Sequence, residues 1–231
     1  MSEIQIFIDK FFDQEGYRLF FEGLTNTAII AVSGLLIGFL IGSVVAIVKL
    51  IPGKNPIVAF FRAICDVYIA LFRGTPMVVQ LLLLHFALFP MLGINIDGVA
   101  EACLIFGLNS GAYISEIMRG GINAVDKGQM EAGRSMGFGF TQTMVRIIVP
   151  QAIKNILPTL GNEFIALIKE TSVVSFIAVM DITKSLKAIA ESTYEYFVPY
   201  IMLAVVYLVI VLVITWLVHL MERGFSKSDR K

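Results

Sequence analysis

Long apolar runs separated by short polar stretches dominate the chain. A helix that crosses a lipid bilayer needs roughly 20 mostly apolar residues. Two segments reach this length without a charged residue, namely 23–48 and 197–221. Three less regular apolar regions lie between them, at 57–91, 98–118 and 156–180. The pattern predicts an all-α, polytopic membrane protein with five transmembrane helices.

The region 57–91 is interrupted by the sequence Arg73-Gly74-Thr75-Pro76. Proline disfavours helical backbone at the residue before it. We therefore interpret this region as one span with a break, or as a span whose first part lies on the membrane surface.

A stripe of small residues marks the first predicted span. Small residues recur there every four positions, at Gly34, Gly38, Gly42 and Ala46. Such a stripe allows the backbones of two membrane helices to approach closely. We therefore expect another helix to pack against this face.

The first 22 residues differ from the spans because charged and apolar side chains are mixed there. Their apolar positions follow helical spacing, at Ile4, Phe7, Ile8, Phe11 and Phe12. We expect residues 1–22 to form an amphipathic helix on the extracytoplasmic membrane surface, 23–222 the transmembrane domain and 223–231 a cytoplasmic tail. The segment lacks the positively charged start of a cleavable signal peptide, so we expect it to be retained.

Composition supports the membrane class and excludes some functions. Hydrophobic residues make up 57% and charged residues 16% of the chain, whereas soluble domains have about 45–50% apolar and about 25% charged residues. The formal net charge is zero and no basic cluster is present, so we expect no nucleic-acid partner. The two histidines lack metal-ligand spacing, so we expect no metal site.

Lysine and arginine positions predict the orientation, because cytoplasmic loops retain positive charge. With five spans, 12 of the 18 basic residues fall on one side: Lys49, Lys54, Arg62, Arg119, Lys127, Arg134, Arg146, Lys154, Arg223, Lys227, Arg230 and Lys231. The segment 126–155 lies on that side. The N-terminus is therefore predicted to lie outside the cell and the C-terminus in the cytoplasm.

The cytoplasmic segment 126–155 is polar and rich in glycine, yet it has the apolar residues of a folded structure. A loop of this length in a compact protein is usually functional or disordered. Its glycines allow tight turns, and Pro150 suits the first turn of a following helix. The segment therefore predicts two short helices joined by a glycine corner. This structure would present a knob to a cytoplasmic partner, or it would fold back on its own helical bundle.

The same segment contains a motif. Glu131-Ala132-Gly133 is followed, after three residues, by Gly137 and, after nine more, by Ile147-Ile148-Val149-Pro150. This spacing resembles the signature of type I ABC importer permeases, which is E-A-A, three residues, G, nine residues and I-x-L-P. The chain departs from it where Gly133 replaces alanine and Val149 replaces leucine, and both replacements are conservative in size.

Other stretches extend the resemblance to about residues 23–222: LFRGTPMVVQ, GAYISEIMRGGI and QAIKNILPTLGNEFIALIKETSVVS. They resemble the branch that imports polar amino acids such as histidine, glutamine, glutamate and arginine. The resemblance implies a multi-pass protein of the bacterial plasma (inner) membrane. It also implies a second permease copy, either the same chain as a homodimer or a paralogue, and an extracytoplasmic solute-binding protein that delivers the amino-acid substrate.

The resemblance further implies that the motif forms a coupling helix, which docks in a groove of an ABC ATPase subunit present in two copies. The implied coupling residues are Glu131, Ala132, Gly133, Arg134, Gly137, Phe138 and Pro150. We expect Pro150 to restart the main helix, so that movement of the knob reaches the fourth span. The chain has no GxxxxGK[ST] loop, so we expect it to be no enzyme and to bind no cofactor, with ATP and Mg²⁺ bound by the partner subunit.

Polar residues at membrane depth indicate where the substrate would pass, because ionisable side chains there are costly and usually face a cavity or a partner. Glu163 is the foremost candidate, and Pro158 and Gly161 are expected to loosen the helix before it. The resemblance implies that Glu163 lines the amino-acid pocket and pairs with a positive group of the substrate; the alternative is a pairing with another helix. Further candidates are Asn162, Thr159, Asn109, Glu101 and Gln80.

Two other functions compete with an ATP-driven importer. A membrane-embedded enzyme would need paired catalytic residues or a metal triad at depth, and the two histidines are far apart and form no HExxH motif. An ATP-independent secondary amino-acid carrier or channel would need no ATPase. Such a protein would have no use for an ordered cytoplasmic motif.

Overall fold

The structure, a computed structural model, describes residues 2–53 and 55–228, with the backbone alone for 222–228. All regular elements within these residues are helices. Of the basic residues behind the predicted orientation, several lie outside the described residues or side chains: Lys54, Arg223, Lys227, Arg230 and Lys231. No part of the predicted tail 223–231 therefore has a described side-chain environment.

The helices follow one another with short connections. The chain begins with α1 (Glu3–Ile8), a π-helical turn (Asp9–Asp13), α2 (Gly16–Leu50) and α3 (Pro56–Gly74). Next come α4 (Met77–Leu83), a π-helical turn (Leu84–Leu88), α5 (Phe89–Met91), α6 (Gly98–Asn123) and α7 (Lys127–Ser135). The rest consists of α8 (Phe140–Thr143), a π-helical turn (Met144–Ile148), α9 (Val149–Glu170), a 3-10 turn (Thr171–Ile177), α10 (Ile182–Thr193) and α11 (Phe197–Ser228).

Two helices among the described residues, α2 and α11, are long and apolar enough to cross a membrane alone. α3 and the segment α4–α5 pass the same test only as a pair, and their axes differ by 108°. The break between them falls at Thr75 and Pro76, which confirms the predicted interruption. α6, with 26 residues, and α9, with 22, have the length of a span but less apolar sequences. The prediction of five spans therefore depends on α6 and α9.

One face of the N-terminal segment packs against the rest of the protein. Phe11 is buried with Phe20, and both contact a cluster of apolar residues on α10, namely Ile182, Leu186 and Ile189. α2 begins at Gly16 and not at the predicted Gly23, because the chain turns at Glu15, which has left-handed backbone. Phe7 and Phe11 thus have a protein partner that is remote in the sequence, whereas Ile4, Ile8 and Phe12 remain exposed.

Helices α2 and α6 form the centre of the bundle, and glycines bring their backbones together. A Cβ atom on Gly38 would lie 2.7 Å from Cβ of Ser110, and one on Gly42 would lie 2.9 Å from the backbone nitrogen of Ser115. Both distances are too short for a real Cβ contact, so only glycine fits at these positions. The small-residue stripe predicted on the first span is therefore the contact surface for α6.

Pro150 lies in the first turn of α9, as predicted, but α9 continues a helix that has already formed. Helical backbone runs without a break from Phe140 to Glu170, so Pro150 lies within it. A π-helical turn precedes the proline, in which the N–H of Val149 donates to the carbonyl of Met144 five residues earlier. Proline lacks an N–H, and its ring crowds the preceding turn of an α-helix. The wider π-helical turn accommodates the proline and keeps the helix continuous.

The expected loosening of α9 near Glu163 is also absent from the described helix, which continues through Pro158. Gly161 has a different use. A Cβ atom at this position would lie 2.6 Å from Cγ2 of Val218, so the glycine lets α11 pack closely against α9. Small residues serve this purpose generally in membrane helices.

Because α2 and α6 are in close contact at Gly38, we expect a larger side chain at this position to lower the thermal stability of the protein. Gly38→Val would force the helices apart or leave a strained contact, and overpacking of this kind typically costs about 1–3 kcal/mol. We expect the purified variant in detergent to lose its monodisperse form at a lower temperature, as measured by heating followed by size-exclusion chromatography. Gly120→Ala is the matched control, because a Cβ there meets no described atom within 4 Å. Equal thermal stability of the two variants would contradict the assigned packing.

Candidate functional site

The segment between α6 and α9 forms a corner from which α7 projects. Asp126 caps the start of α7, because its carboxylate accepts a hydrogen bond from the N–H of Gly128 at 2.8 Å. At the other end Gly137 has left-handed backbone with φ of 87°. The N–H groups of Gly137 and Phe138 donate to carbonyls of the last turn of α7 at 3.0 and 3.2 Å, in the pattern of a Schellman motif. The predicted short helix and glycine corner are therefore confirmed, whereas the second predicted short helix is the first turn, α8, of the continuous helix that runs to Glu170.

One face of α7 packs against the base of α9. Gly133 is buried there, and a Cβ on it would lie 3.0 Å from Oγ1 of Thr143 and 3.1 Å from Cδ1 of Ile147. Glycine, in place of the alanine of the importer signature, therefore suits this position. An apolar cluster centred on Ile148 and Ala152 lies beneath the contact. α7 and the base of α9 thus form one packed unit.

The opposite face of α7 is exposed. Of the predicted coupling residues, Gly133 is buried and Phe138 is half-buried, whereas the exposed ones are Glu131, Ala132, Arg134, Gly137 and Pro150. Met136 adds an apolar side chain that is 75% exposed. The two interpretations of the segment are therefore compatible, because one face of α7 folds back on the bundle and the other remains free.

Glu163 lies in the second half of α9 and faces α6. The hydroxyl of Ser110 donates a hydrogen bond to Oε1 of Glu163 at 3.3 Å. Nη1 of Arg73, at the end of α3, lies 3.9 Å from Oε2 of Glu116 on α6. The guanidinium of Arg73 lies 5.3 Å from the ring centroid of Tyr113, as in a cation–π contact. The guanidinium of Arg73 and the carboxylate of Glu163 therefore both contact α6, from α3 and from α9.

Thr159 lies on the same face of α9 as Glu163, one helical turn closer to α7, and Asn162 directly precedes Glu163 and lies three positions after Thr159. Residues spaced by three and four positions are neighbours on a helix surface. Both side chains are exposed, and the Thr159 hydroxyl donates only to the carbonyl of Asn155, at 3.4 Å. The structure thus extends the Glu163 position into a polar strip along α9.

Gln80 and Asn109 lie apart from this strip and hold the broken helix. The side-chain nitrogen of Gln80 lies 2.8 Å from the carbonyl oxygen of Phe72 and 2.9 Å from that of Thr75. Asn109 donates to the side-chain oxygen of Gln80 at 2.8 Å, and each residue is only 4% exposed. The last carbonyls of a helix have no partner in the helix itself. These two residues supply the missing partners at the break, a use that the sequence prediction did not foresee.

Glu101 also lies apart from Glu163. It is in the first turn of α6, at the end of the bundle opposite α7, and its Oε2 lies 2.8 Å from Nδ1 of His85. Three of the six predicted pathway residues, Gln80, Asn109 and Glu101, are therefore not brought together with Glu163.

Sequence reasoning missed Ser110, which bonds Glu163, and also Arg73 with its contact on Tyr113. Arg73 is a charged residue within an apolar region, and this feature could have marked it as a candidate site residue. Ser110 and Tyr113 gave no such signal, because serine and tyrosine are common in membrane helices.

A charged cluster joins α2, α3 and α6. Lys49 Nζ lies 2.8 Å from Oδ1 of Asp66 and 3.3 Å from Oε1 of Glu116. Glu116 in turn accepts a hydrogen bond from Nε of Arg119 at 3.0 Å. This cluster fixes three helices relative to one another near the end of the bundle that carries α7.

Comparison with known proteins identifies the family. Residues 34–227 match the family described as binding-protein-dependent transport system inner membrane component. The chain belongs to this family. The permease is 38% identical over 208 residues to an arginine transport system permease protein of Bacillus subtilis (strain 168). That similarity covers 90% of this chain and 93% of the Bacillus protein.

Solved structures support the same assignment. The permease resembles a chain of an amino acid ABC transporter crystallised with histidines, with a TM-score of 0.83 and 40% identity over 90% of this chain and 94% of the other. It also matches an inward-facing methionine ABC transporter with a TM-score of 0.75 at 16% identity, which bears on the fold alone. The resemblance to type I ABC importer permeases is thereby confirmed, together with the all-α fold and the role of permease subunit.

The position of Gln80 predicts a structural role for this residue. Gln80→Met keeps the length of the side chain but leaves buried carbonyls at the break unpaired, which typically costs about 1–3 kcal/mol. We expect a lower thermal unfolding temperature in detergent, while Gln151→Met, at an exposed position, unfolds like the unmodified permease. If Gln80→Met were fully stable and changed the solute selectivity, Gln80 would instead line the substrate pathway.

Proposed function

We propose that this permease forms the translocation pathway of an ATP-driven importer for polar or charged amino acids. The observation that carries the proposal is the continuity of one helix. Backbone from Phe140, beside α7, to Glu170 is helical throughout and contains Glu163. At about 1.5 Å per residue, this helix is roughly 45 Å long. A displacement of α7 would therefore reach Glu163 without passing through a loop.

The exposed face of α7 is proposed to dock on an ATPase subunit. Glu131, Ala132, Arg134 and Met136 would form the contact, and the ATPase would bind ATP and Mg²⁺ itself. With two ATPase subunits and two permease chains, closure of the ATPases would move both α7 helices together. The permease halves would then tilt as rigid bodies and open the pathway alternately to each side.

The substrate is proposed to be an amino acid that uses both charges of the site. Glu163 would bind its ammonium group or a cationic side chain. Arg73 would bind the carboxylate, because a guanidinium matches the two oxygens of a carboxylate in one plane. Tyr113 would hold the guanidinium in position through the cation–π contact. The arginine permease and the amino acid transporter among the similar proteins support this substrate class.

A second permease copy, identical or a paralogue, is proposed to complete the pathway. Thr159 and Asn162 are exposed on α9, and polar groups at membrane depth generally face a cavity or a partner. The protein would lie in a bacterial plasma (inner) membrane with its N-terminus outside and its C-terminus in the cytoplasm. A solute-binding protein would deliver the substrate at the end opposite α7.

An ATP-independent amino-acid carrier or channel is the competing function. Such a protein would transport its solute with no partner bound to α7. The exposed face of α7 and membership in a binding-protein-dependent family favour the ATP-driven importer.

Glu163→Gln tests the substrate role. The change keeps the size of the side chain and an acceptor for Ser110, but it removes the charge. We expect amino-acid-stimulated ATP hydrolysis of the complete complex in proteoliposomes to need at least about tenfold more substrate, because a charge-assisted hydrogen bond contributes about 1.5–3 kcal/mol. Arginine, histidine, glutamine and glutamate would each be assayed. Glu191→Gln, at an exposed carboxylate on α10, is the control. If the amino acid stimulated ATP hydrolysis equally well in both variants, Glu163 would pair only with its neighbouring helix and would not bind the substrate.

Met136→Asp tests the coupling role. A charge on the apolar part of the exposed α7 face should abolish co-purification of the ATPase from detergent, because an unpaired charge in an interface is strongly unfavourable. Tyr194→Asp is the matched control, since Tyr194 is 84% exposed and Met136 is 75% exposed. If Met136→Asp and Glu131→Lys both kept the ATPase bound, α7 would not be its docking site.

A further inference from the structure

A small cavity at the end of the bundle opposite α7 contains a carboxylate that is only half paired. The cavity has a volume of about 260 Å³ and lies between the first turn of α6, the π-helical turn before α5 and the loop 92–97. Glu101 and His85 line it together with Phe86, Phe89 and Asn95.

Glu101 is held through one oxygen. Its Oε2 lies 2.8 Å from Nδ1 of His85, whereas its Oε1 is buried and has no hydrogen-bond partner among the described residues. The side chain is 6% exposed. An unpaired buried acceptor is unfavourable, and the positive end of the α6 dipole stabilises negative charge in this first turn. The free oxygen is therefore suited to a ligand that brings a hydrogen-bond donor and a positive charge.

The walls of the cavity select among such ligands. Phe86, Phe89 and Ile94 give it apolar surface, and the ring of Phe86 makes an edge contact with His85 at 4.5 Å. Within the described part of the chain, no group of three or more histidine, cysteine or acidic residues is arranged to hold a metal ion. A metal ion would lose its water here without enough ligands in exchange. An organic cation fits better, because its stem can pack on the aromatic rings while its N–H groups reach the carboxylate.

We propose that this cavity binds a primary ammonium or guanidinium group carried on a short apolar stem, with Oε1 of Glu101 as the acceptor. His85 holds the other carboxylate oxygen. The ligand is a free amine or an amino acid with a cationic side chain. This site is distinct from Glu163, because Glu101 and Ser110 are separated by roughly 13 Å along α6 at about 1.5 Å per residue. Binding here does not depend on the transport role, so the two can fail separately.

The histidines provide a direct test, because the chain has only two, His85 and His219. The full chain would be purified in detergent with isotope-labelled histidine rings and titrated with n-butylammonium chloride, followed by NMR. We expect a saturable shift of the His85 signal, since a cation on Oε1 changes the field at the imidazole bonded to Oε2. His219, whose Nδ1 lies 2.8 Å from the carbonyl of Thr215 on α11, is the internal reference.

Tetramethylammonium chloride is the matched ligand, because it has the same charge and no N–H donor. We expect it to leave the His85 signal in place. An equal response to the two cations, or no response to n-butylammonium, would overturn the proposal.

Two variants locate the binding. Glu101→Gln should weaken n-butylammonium binding at least about tenfold, because it removes a charge-assisted hydrogen bond. Since this change also alters the contact with His85, Ile94→Trp provides a second variant, which fills the cavity and keeps the pair. We expect Ile94→Trp to abolish the shift and Glu191→Gln to bind like the unmodified chain. Full-strength binding in both cavity variants would show that the cation binds elsewhere.

Discussion

The close approach of α2 and α6 is the contact on which the rest of the structure depends. Lipid chains are as apolar as leucine, so membrane helices associate through close packing and polar contacts and not through the hydrophobic effect. Glycines on both helices provide this fit, with Gly38 facing Ser110 and Ile41 lying over Gly111. α6 also contacts α3 and α9. Its position therefore determines where the hydroxyl of Ser110 meets Glu163.

Hydrogen bonding separates the structural polar residues of this bundle from those available to a ligand. Gln80 and Asn109 are buried, and each has partners at about the ideal distance. Such groups cannot bind a solute without breaking the helix junction that they hold. Glu163 has a weaker bond of 3.3 Å and a polar, exposed strip beside it. By residue type alone, Gln80, Asn109 and Glu163 were all predicted to line the substrate pathway. Only their hydrogen bonds and exposure in the structure distinguish them.

Local patterns predicted much of the fold and the coupling segment. The interruption at Pro76 and the corner at Gly137 depend on residues within a few positions, so the sequence was sufficient for them. Contacts between distant segments were not predictable in this way, and they include Phe11 against α10 and Ser110 with Glu163. The helix that leads into Pro150 was not predicted for a different reason, because proline is common at the start of helices and the π-helical turn that accommodates it has no simple sequence signal.

Transmission of force from α7 to Glu163 requires that α7 move as a unit with α9. A cap at Asp126 and the Schellman motif at Gly137 fix both ends of α7, so a load on its exposed face displaces the helix before it unwinds. Gly133 seats α7 directly on Thr143, which belongs to the same continuous helix as Glu163. The charged cluster around Glu116 meanwhile ties α6 to α2 and α3. In the proposed mechanism, a tilt of α9 against this fixed group would act first on the long hydrogen bond between Ser110 and Glu163, because this bond of 3.3 Å is weaker than the bonds of 2.8 Å at the helix break.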